Sequence, residues 1–393
     1  MRKIISLITS VFLLLCGCNV NAEVPEKEKS VSPDISAVWV YYNELSMKGE
    51  NGGTEESFTK KIEKIFTDCA DMGINTVFVQ VRPFSDAFYP SEIFPWSAYL
   101  TGTQGKSVDY DPLKIMVDIG HQKNMTVHAW INPFRVSADG NRDKLAKENP
   151  AFKCKDKNSV VETNGGIYFS PASEEAQKLV LDGVREIISN YDVDGIHIDD
   201  YFYPSTEEKV DKAYYDSYVK NGGELTLDEW RLNTVSAFVA QMYSTVKSLD
   251  SDCIFSVSPA GNINNNYTQQ YADVKLWCSQ RGFADWIIPQ LYYGFESKSL
   301  PFDKACREWS ELDTIGAVKM IYGIAAYKVN SDDGEWKAGN GIIDRQIECA
   351  KETGNCGGFA YFSYSQLADS KKSAEFKNIG KAVADATDLS AQD

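Results

Sequence analysis

Eight apolar runs, each the length of a buried strand, alternate with amphipathic stretches along the chain. They are AVWVYYNEL (37–45), INTVFVQVRPF (74–84), TVHAWINPFRV (126–136), VDGIHIDDYFYP (193–204), CIFSVSPAGN (253–262), ADWIIPQLYYGFE (284–296), KMIYGIAAYKV (319–329) and GGFAYFSYSQL (357–367). Near-continuous hydrophobicity is what a parallel sheet covered on both faces requires. Between the runs, apolar residues recur at helical spacing, as in SEEAQKLVLDGVREIISNYD (173–192) and DEWRLNTVSAFVAQMYSTVKSL (228–249), several stretches opening on an Asp or Ser cap. A last helical pattern, KKSAEFKNIGKAVADA (371–386), follows the eighth run. Eight strands, each followed by a helix, predict a (β/α)8 TIM barrel of the α/β class, one domain over residues 36–390. The alternative, a doubly wound open sheet, would normally need a glycine-rich turn after its first strand to bind a nucleotide, and the sequence has none there.

The beginning of the chain changes the picture of where this barrel works. Residues 1–18, MRKIISLITSVFLLLCGC, have the basic start and apolar run of a secretory signal, too short to span as a mature helix. Leu15-Cys16-Gly17-Cys18 reads as a lipoprotein cleavage box with Cys18 as the lipidated residue, while Val20-Asn21-Ala22 offers a plain cleavage site that would leave the protein secreted. Residues 19–35 then form a polar tether, and the expected location is the cell envelope, with membrane contact through the lipid anchor alone. A formal net charge of −16 without a basic stripe argues against nucleic acid as a partner. Seven scattered cysteines beyond the signal, with no C-x-x-C, fit neither a disulfide framework nor a zinc site, so reduced and mostly buried thiols are expected. No cofactor and no metal is expected, since His121, His128 and His197 lack metal-ligand spacing.

Barrels of this kind carry their chemistry at the C-terminal ends of the strands. Here those ends hold Glu44, Arg82, Asp86, Asn132, Arg135, Asp199, Asp200, Asn262, Tyr292, Glu296, Tyr327 and Tyr364, whereas Asp194 and Asp285 lie at strand beginnings and read as turn or cap residues. The fourth run poses the sharpest question, because two adjacent acids beside a row of rings are costly unless paired or used. Period-two alternation puts His197, Asp199 and Tyr201 on one side, so if His197 faces the barrel mouth, Asp199 does too. Glycoside hydrolysis needs two carboxyl groups flanking the scissile bond, about 5 Å apart for retention or about 6.5–9.5 Å for inversion. The candidate partners for Asp199 are Glu296, Glu44 and Asp86, in that order, with Asp200 orienting a loop or a substrate hydroxyl. Glu296 ranks first because the rings of QLYYGFE would raise its pKa, although it could instead cap the next helix or pair with Lys298. Glu44 could equally hold a hydroxyl. Trp39, Tyr41, Trp96, Trp130, Phe134, Tyr201, Tyr203, Tyr292, Tyr293, Trp336 and Tyr361 fall near strand ends, where rings stack on sugar faces. A serine hydrolase is disfavoured by the lack of G-x-S-x-G.

Taken together, AVWVYYNEL, NTVFVQVRPFSDAFYPSEIFPWSAYLTGTQGK with YDPLKIMVD, HAWINPFRV, DVDGIHIDDYFYP and DWIIPQLYY resemble the glycosyl hydrolase-like family 10, in order, over residues 36–367. The resemblance implies a TIM barrel and, through a division-associated lipoprotein member, cleavage of peptidoglycan glycan strands stripped of their peptides. Arg82, Asp86, His128, Asn132, Arg135, Asp199, Asp200 and Tyr201 match the family's motif residues, whereas SVSPAGNINNN departs from its pattern after the fifth strand. The expected catalytic set is therefore Asp199, Glu296, Asp200 and Glu44. The expected glycan-binding set is Arg82, Asp86, His128, Trp130, Asn132, Arg135, His197, Tyr201, Tyr203, Tyr292 and Tyr327. The rival readings are a tethered glycan-binding protein without turnover and a hydrolase of another polysaccharide.

Overall fold

A computed structural model describes residues 34–383. The signal, Cys18 and nearly all of the tether lie outside the described residues, as do residues 384–390 of the expected domain. Eight parallel strands close a barrel: β1 (Ile35–Val40), β2 (Thr76–Arg82), β3 (Thr126–Ile131), β4 (Gly195–Ile198), β5 (Ile254–Val257), β6 (Trp286–Ile287), β7 (Lys319–Ile324) and β8 (Cys356–Phe362). Each pairs with its neighbours in sequence, and β1 closes against β8 with Ala37 beside Ala360. The helices between them include α1 (Glu55–Asp71), α2 (Pro112–Gln122), α3 (Glu174–Asn190), α4 (Leu227–Leu249), α5 (Val274–Ser279), α6 (Phe302–Ser310) and α7 (Ile342–Lys351).

Local chemistry sets these boundaries. Thr54 with Ser57 and Thr226 with Glu229 form capping boxes that satisfy orphan N–H groups at the starts of α1 and α4, and Ser173 accepts from Ala176 N at the start of α3. Asp194 and Asp285 do hold strand beginnings: Asp194 accepts from Val127 N at 2.7 Å and Asp285 from Phe255 N at 2.8 Å. Strand β6 is two residues long because Pro289 has no N–H for the ladder, and single bridges at Gln290 carry the sheet onward to Ala260 and Gly323.

The barrel bore is packed with rings. Trp39, Phe78, Trp130 and Trp286 fill it with small Ala37 and Ala360 between them, and His128 and His197 join the stack. His197 lies face to face with Phe78 at 4.3 Å and His128 with Trp286 at 5.0 Å. A side chain this large fits beside β4 because Gly195 has none, since a Cβ there would stand 2.3 Å from His128 Nδ1. The seven cysteines within the described residues are free thiols.

Two features depart from the sequence pattern. After β3 the chain leaves the barrel to form an antiparallel side sheet, in which Gly166–Phe169 lies between Arg135–Ser137 and Val160–Thr163. Its hairpin turns at Asn164-Gly165, both at positive φ, which is a legible turn signal between two short strands. Within the described residues, 371–380 does not form the helix its spacing predicts, for a 3₁₀ turn at Ser373–Glu375 opens it and turns follow. The buried Glu375 carboxylate caps the N–H groups of Gly339 and Ile343 instead of facing solvent.

Replacing Gly195 with alanine drives a methyl group into the His128 ring, and a loss of about 1–3 kcal/mol is expected from overpacking in a rigid bore. Urea denaturation checks this: an unchanged midpoint for Gly195→Ala would show that the bore is not close-packed there.

Candidate active site

A cavity of about 380 Å³ opens at the C-terminal ends of the strands. Trp39 and Trp130 form part of its lining, Tyr41 and Phe362 come from the β1 and β8 ends, and Gln290, Tyr292 and Tyr327 from the β6 and β7 ends. Asp199 and Asp200 face it from the end of β4, beside Arg135 and Tyr201. The alternation along β4 thus carries Asp199 to the inner face, one step above His197. A larger hollow of about 590 Å³ lies at the strand beginnings, but there Asp194 is already engaged by Val127 N and by His121 at 2.9 Å.

Asp199 is 5 % exposed, and its Oδ2 accepts hydrogen bonds from Trp130 Nε1 at 3.1 Å and Asn132 Nδ2 at 3.4 Å. Its Oδ1 is buried without a partner, so one oxygen of the carboxyl group is left for a proton or a ligand. Burial, reinforced by the neighbouring charge of Asp200, pushes its pKa from 3.8 up to about 7, against the lowering pull of Arg135 and Trp130. Asp200 is also raised by burial, with a hydrogen bond from Gln290 working the other way. Gln290 is held for that task by donating to Ser258 O at 3.1 Å.

His197 does not face the cavity. Trp39 Nε1–H can only donate, so His197 Nε2, 3.0 Å away, accepts, and Nδ1 carries the proton to Ser256 Oγ at 2.8 Å. Burial holds this imidazole well below its usual pKa, and it stays neutral, fixing the Trp39 indole from beneath. His128 likewise belongs to the bore: both ring nitrogens are buried and unpartnered, and burial lowers its pKa to about 4.

Five other expectations are corrected by placement. Arg82 lies on the outer side of the barrel, its guanidinium 3.8 Å from the Phe94 ring centre and packed against Gly183 of α3. Alternation from Gln80 would have put it inside, but the β2–β3 pairing shifts between Gln80 and Arg82, and this bulge turns the side chain outward. Asp86 is buried behind the loop after β2, where Gln104 reaches it at 3.4 Å and burial raises its pKa to about 6. Glu44 clasps the first strand to the last at their C-terminal ends, accepting from Tyr41 N at 3.0 Å and from Ser363 Oγ and Ser365 N at 2.7 Å each. Glu296 is exposed and lines no part of the cavity, because Glu335 captures its backbone N–H together with that of Phe295 and turns the loop away. Tyr203 is buried against Tyr271 and Arg231, which in turn holds Asp211 at 2.6 and 2.7 Å and so anchors the long loop after β4.

The structure therefore brings together Asp199, Asp200, Trp130, Asn132, Arg135, Tyr201, Tyr292 and Tyr327. It adds Tyr42, Gln80, Ser258, Gln290 and Phe362. Gln80 had a signal, a lone amide inside an otherwise apolar strand, and Ser258 and Gln290 stand where β5 and β6 give way to polar residues.

The family described as Glycosyl hydrolase-like 10 matches residues 34–338. The chain belongs to this family. Among curated glycosyl hydrolase-like relatives, the glycosyl hydrolase YngK of Bacillus subtilis (strain 168) is 32% identical over 93% of this chain and 74% of its own length. The glycosyl hydrolase DigH of Escherichia coli (strain K12) is 33% identical over 70% of this chain and 69% of its own. Among solved structures, the PgaB (BpsB) glycoside hydrolase domain of Bordetella bronchiseptica superposes with a TM-score of 0.60 at 10% identity, covering 88% of this chain and 99% of that one. The catalytic domain of the β-amylase of Paenibacillus polymyxa gives 0.60 at 12% identity, with 91% and 99% covered, so the shared feature of both is the barrel fold.

The raised pKa of Asp199 has a consequence for stability. The folded protein retains a proton that the unfolded chain has already lost, so this group's contribution is fully present below about pH 4 and is lost as pH rises towards 7. Asp199→Asn removes the titration. Its stability relative to the parent should therefore improve by on the order of 2–4 kcal/mol between pH 4 and pH 8, at roughly 1.4 kcal/mol per unit. Unfolding free energies at both pH values check it; parallel pH profiles would contradict the assignment.

Proposed function

We propose that this glycoside hydrolase is exported, tethered to the cell envelope through a lipid on Cys18, and cuts O-glycosidic bonds in cell-wall glycan, namely peptidoglycan strands freed of their peptides. The observation that carries the hydrolytic part is the buried Asp199 with the half-buried Asp200 beside it, in a cavity lined by rings. Asp199, poised near neutrality with Oδ1 unpartnered, gives its proton to the leaving glycosidic oxygen as the C–O bond breaks, water adds to the anomeric carbon, and the proton that water sheds restores the acid, a task a general acid performs best when its pKa lies near the working pH. Asp200, its pKa raised by burial and drawn down by Gln290, is placed to hold a sugar hydroxyl beside the anomeric carbon. Tyr201 and Tyr327, 45% and 41% exposed, offer ring faces at the rim on which neighbouring sugars can stack. The export reading is supported by the basic-then-apolar pattern of residues 1–18.

Mass spectrometry of soluble products tests the proposal. The domain should release fragments from purified peptide-free strands and not from peptide-bearing ones, and Asp199→Asn should lower the rate by about 100-fold or more, the scale of a lost general acid. Unchanged cleavage by Asp199→Asn would overturn the assignment, and release from peptide-bearing strands alone would overturn the substrate.

A further inference from the structure

We infer that Arg135 selects peptide-free strands by pairing with the carboxylate that a muramic acid unit exposes once its peptide is gone. The inference rests on the substrate proposed above and adds the residue that reads it.

Arg135 opens the side sheet, where its backbone pairs with Tyr168. Among the described residues it is the one basic side chain lining the cavity. Its guanidinium carbon stands 4.8 Å from the ring centre of Phe84 and 4.8 Å from that of Tyr201. Two rings at this range hold the guanidinium against the cavity wall. Asp199 and Asp200 feel its charge across space, yet its Nε is shut off from water without a hydrogen-bond partner. A buried N–H left unpaired costs about 1–3 kcal/mol, so the site is built for an acceptor that arrives from outside.

The chemistry of the strand says which acceptor fits. Each muramic acid unit carries a lactic acid joined to the sugar by an ether. In a peptide-free strand that group ends as a carboxylate, planar and two-oxygened, the shape a guanidinium binds in bidentate fashion. In a peptide-bearing strand the same carbon is an amide. It has no charge, offers one oxygen, and carries a chain that a cavity of about 380 Å³ would have to accommodate beside the sugar. Discrimination then comes from a lost charge-assisted pair and from the added bulk. The first can be measured without the second.

The experiment compares three peptide-free substrates: native strands, strands whose lactyl carboxylates have been converted to primary amides, and strands carrying methyl esters. The full domain should lose about 10–100-fold in kcat/KM, mainly through KM, on both modified strands, the scale of a lost hydrogen bond to a charged group. Arg135→Gln should show the same loss on native strands and no longer distinguish native from amidated ones, while Arg135→Lys recovers part of the discrimination through charge alone. Equal cleavage of native and amidated strands by the parent domain would overturn the inference while leaving the hydrolase reading intact, and so would an Arg135→Gln variant that still discriminates. Failure of the parent domain to cut any strand would remove the substrate proposal and this inference with it. Because the decisive comparison uses the unaltered protein on altered glycans, a folding defect in a variant cannot decide it.

Discussion

Of two carboxyl groups on consecutive residues at the end of β4, Asp199 is buried and Asp200 half-buried, and the upper half of the barrel is arranged around that cost. Burying an unpaired carboxylate among rings is expensive enough that the group holds its proton instead. Here the cost is only partly offset. Trp130 and Asn132 satisfy one oxygen of Asp199, Gln290 supports Asp200, and the Arg135 charge draws both pKa values down without closing an ion pair. What is left over is a carboxyl group whose proton is exchangeable near neutral pH, and that residue of strain is the useful property.

The groups that hold this arrangement reach down into the bore and outward into the loops. Trp39 is a wall of the cavity and, through its indole N–H, the upper end of a chain running to His197 and Ser256. The neutral imidazole in the middle links cavity to bore without adding a charge. Arg231, on α4, fixes the loop that follows Asp200 through Asp211 and the carbonyls of Thr206 and Glu207. Glu44 fastens the β1 end to the turn after β8, so a carboxylate that resembles a catalytic acid in sequence acts as a clasp.

How much of this could be read from the sequence depends on the range of the interaction. Strand count, the helices that follow the first seven strands and the inward direction of Asp199 follow from periodicity, which is local, whereas the helix expected after the eighth strand opens as a 3₁₀ turn. Which acid meets Asp199 is not local. Glu296 lies in a ring-rich stretch but is turned away by Glu335, 39 residues on, and Arg82 is turned by a single bulge that alternation cannot foresee. The side sheet was signalled by Asn164-Gly165, yet its strands of three and four residues carry too little periodicity to stand out. His128 is expected in the site from the family motif and His197 from its alternation with Asp199; His197 is held by Trp39 and Ser256, and His128 is buried by stacking alone.

The measurement that bears most directly on the central claim is a crystal structure of Asp199→Asn holding an intact peptide-free glycan fragment. The account predicts that a glycosidic oxygen lies within hydrogen-bond reach, about 2.6–3.2 Å, of the residue 199 side chain, with the sugar beside Trp39 and Trp130 and residue 200 on its ring or anomeric carbon. A glycan bound elsewhere on the barrel, or one crossing this cavity with no glycosidic oxygen near residue 199, would contradict it.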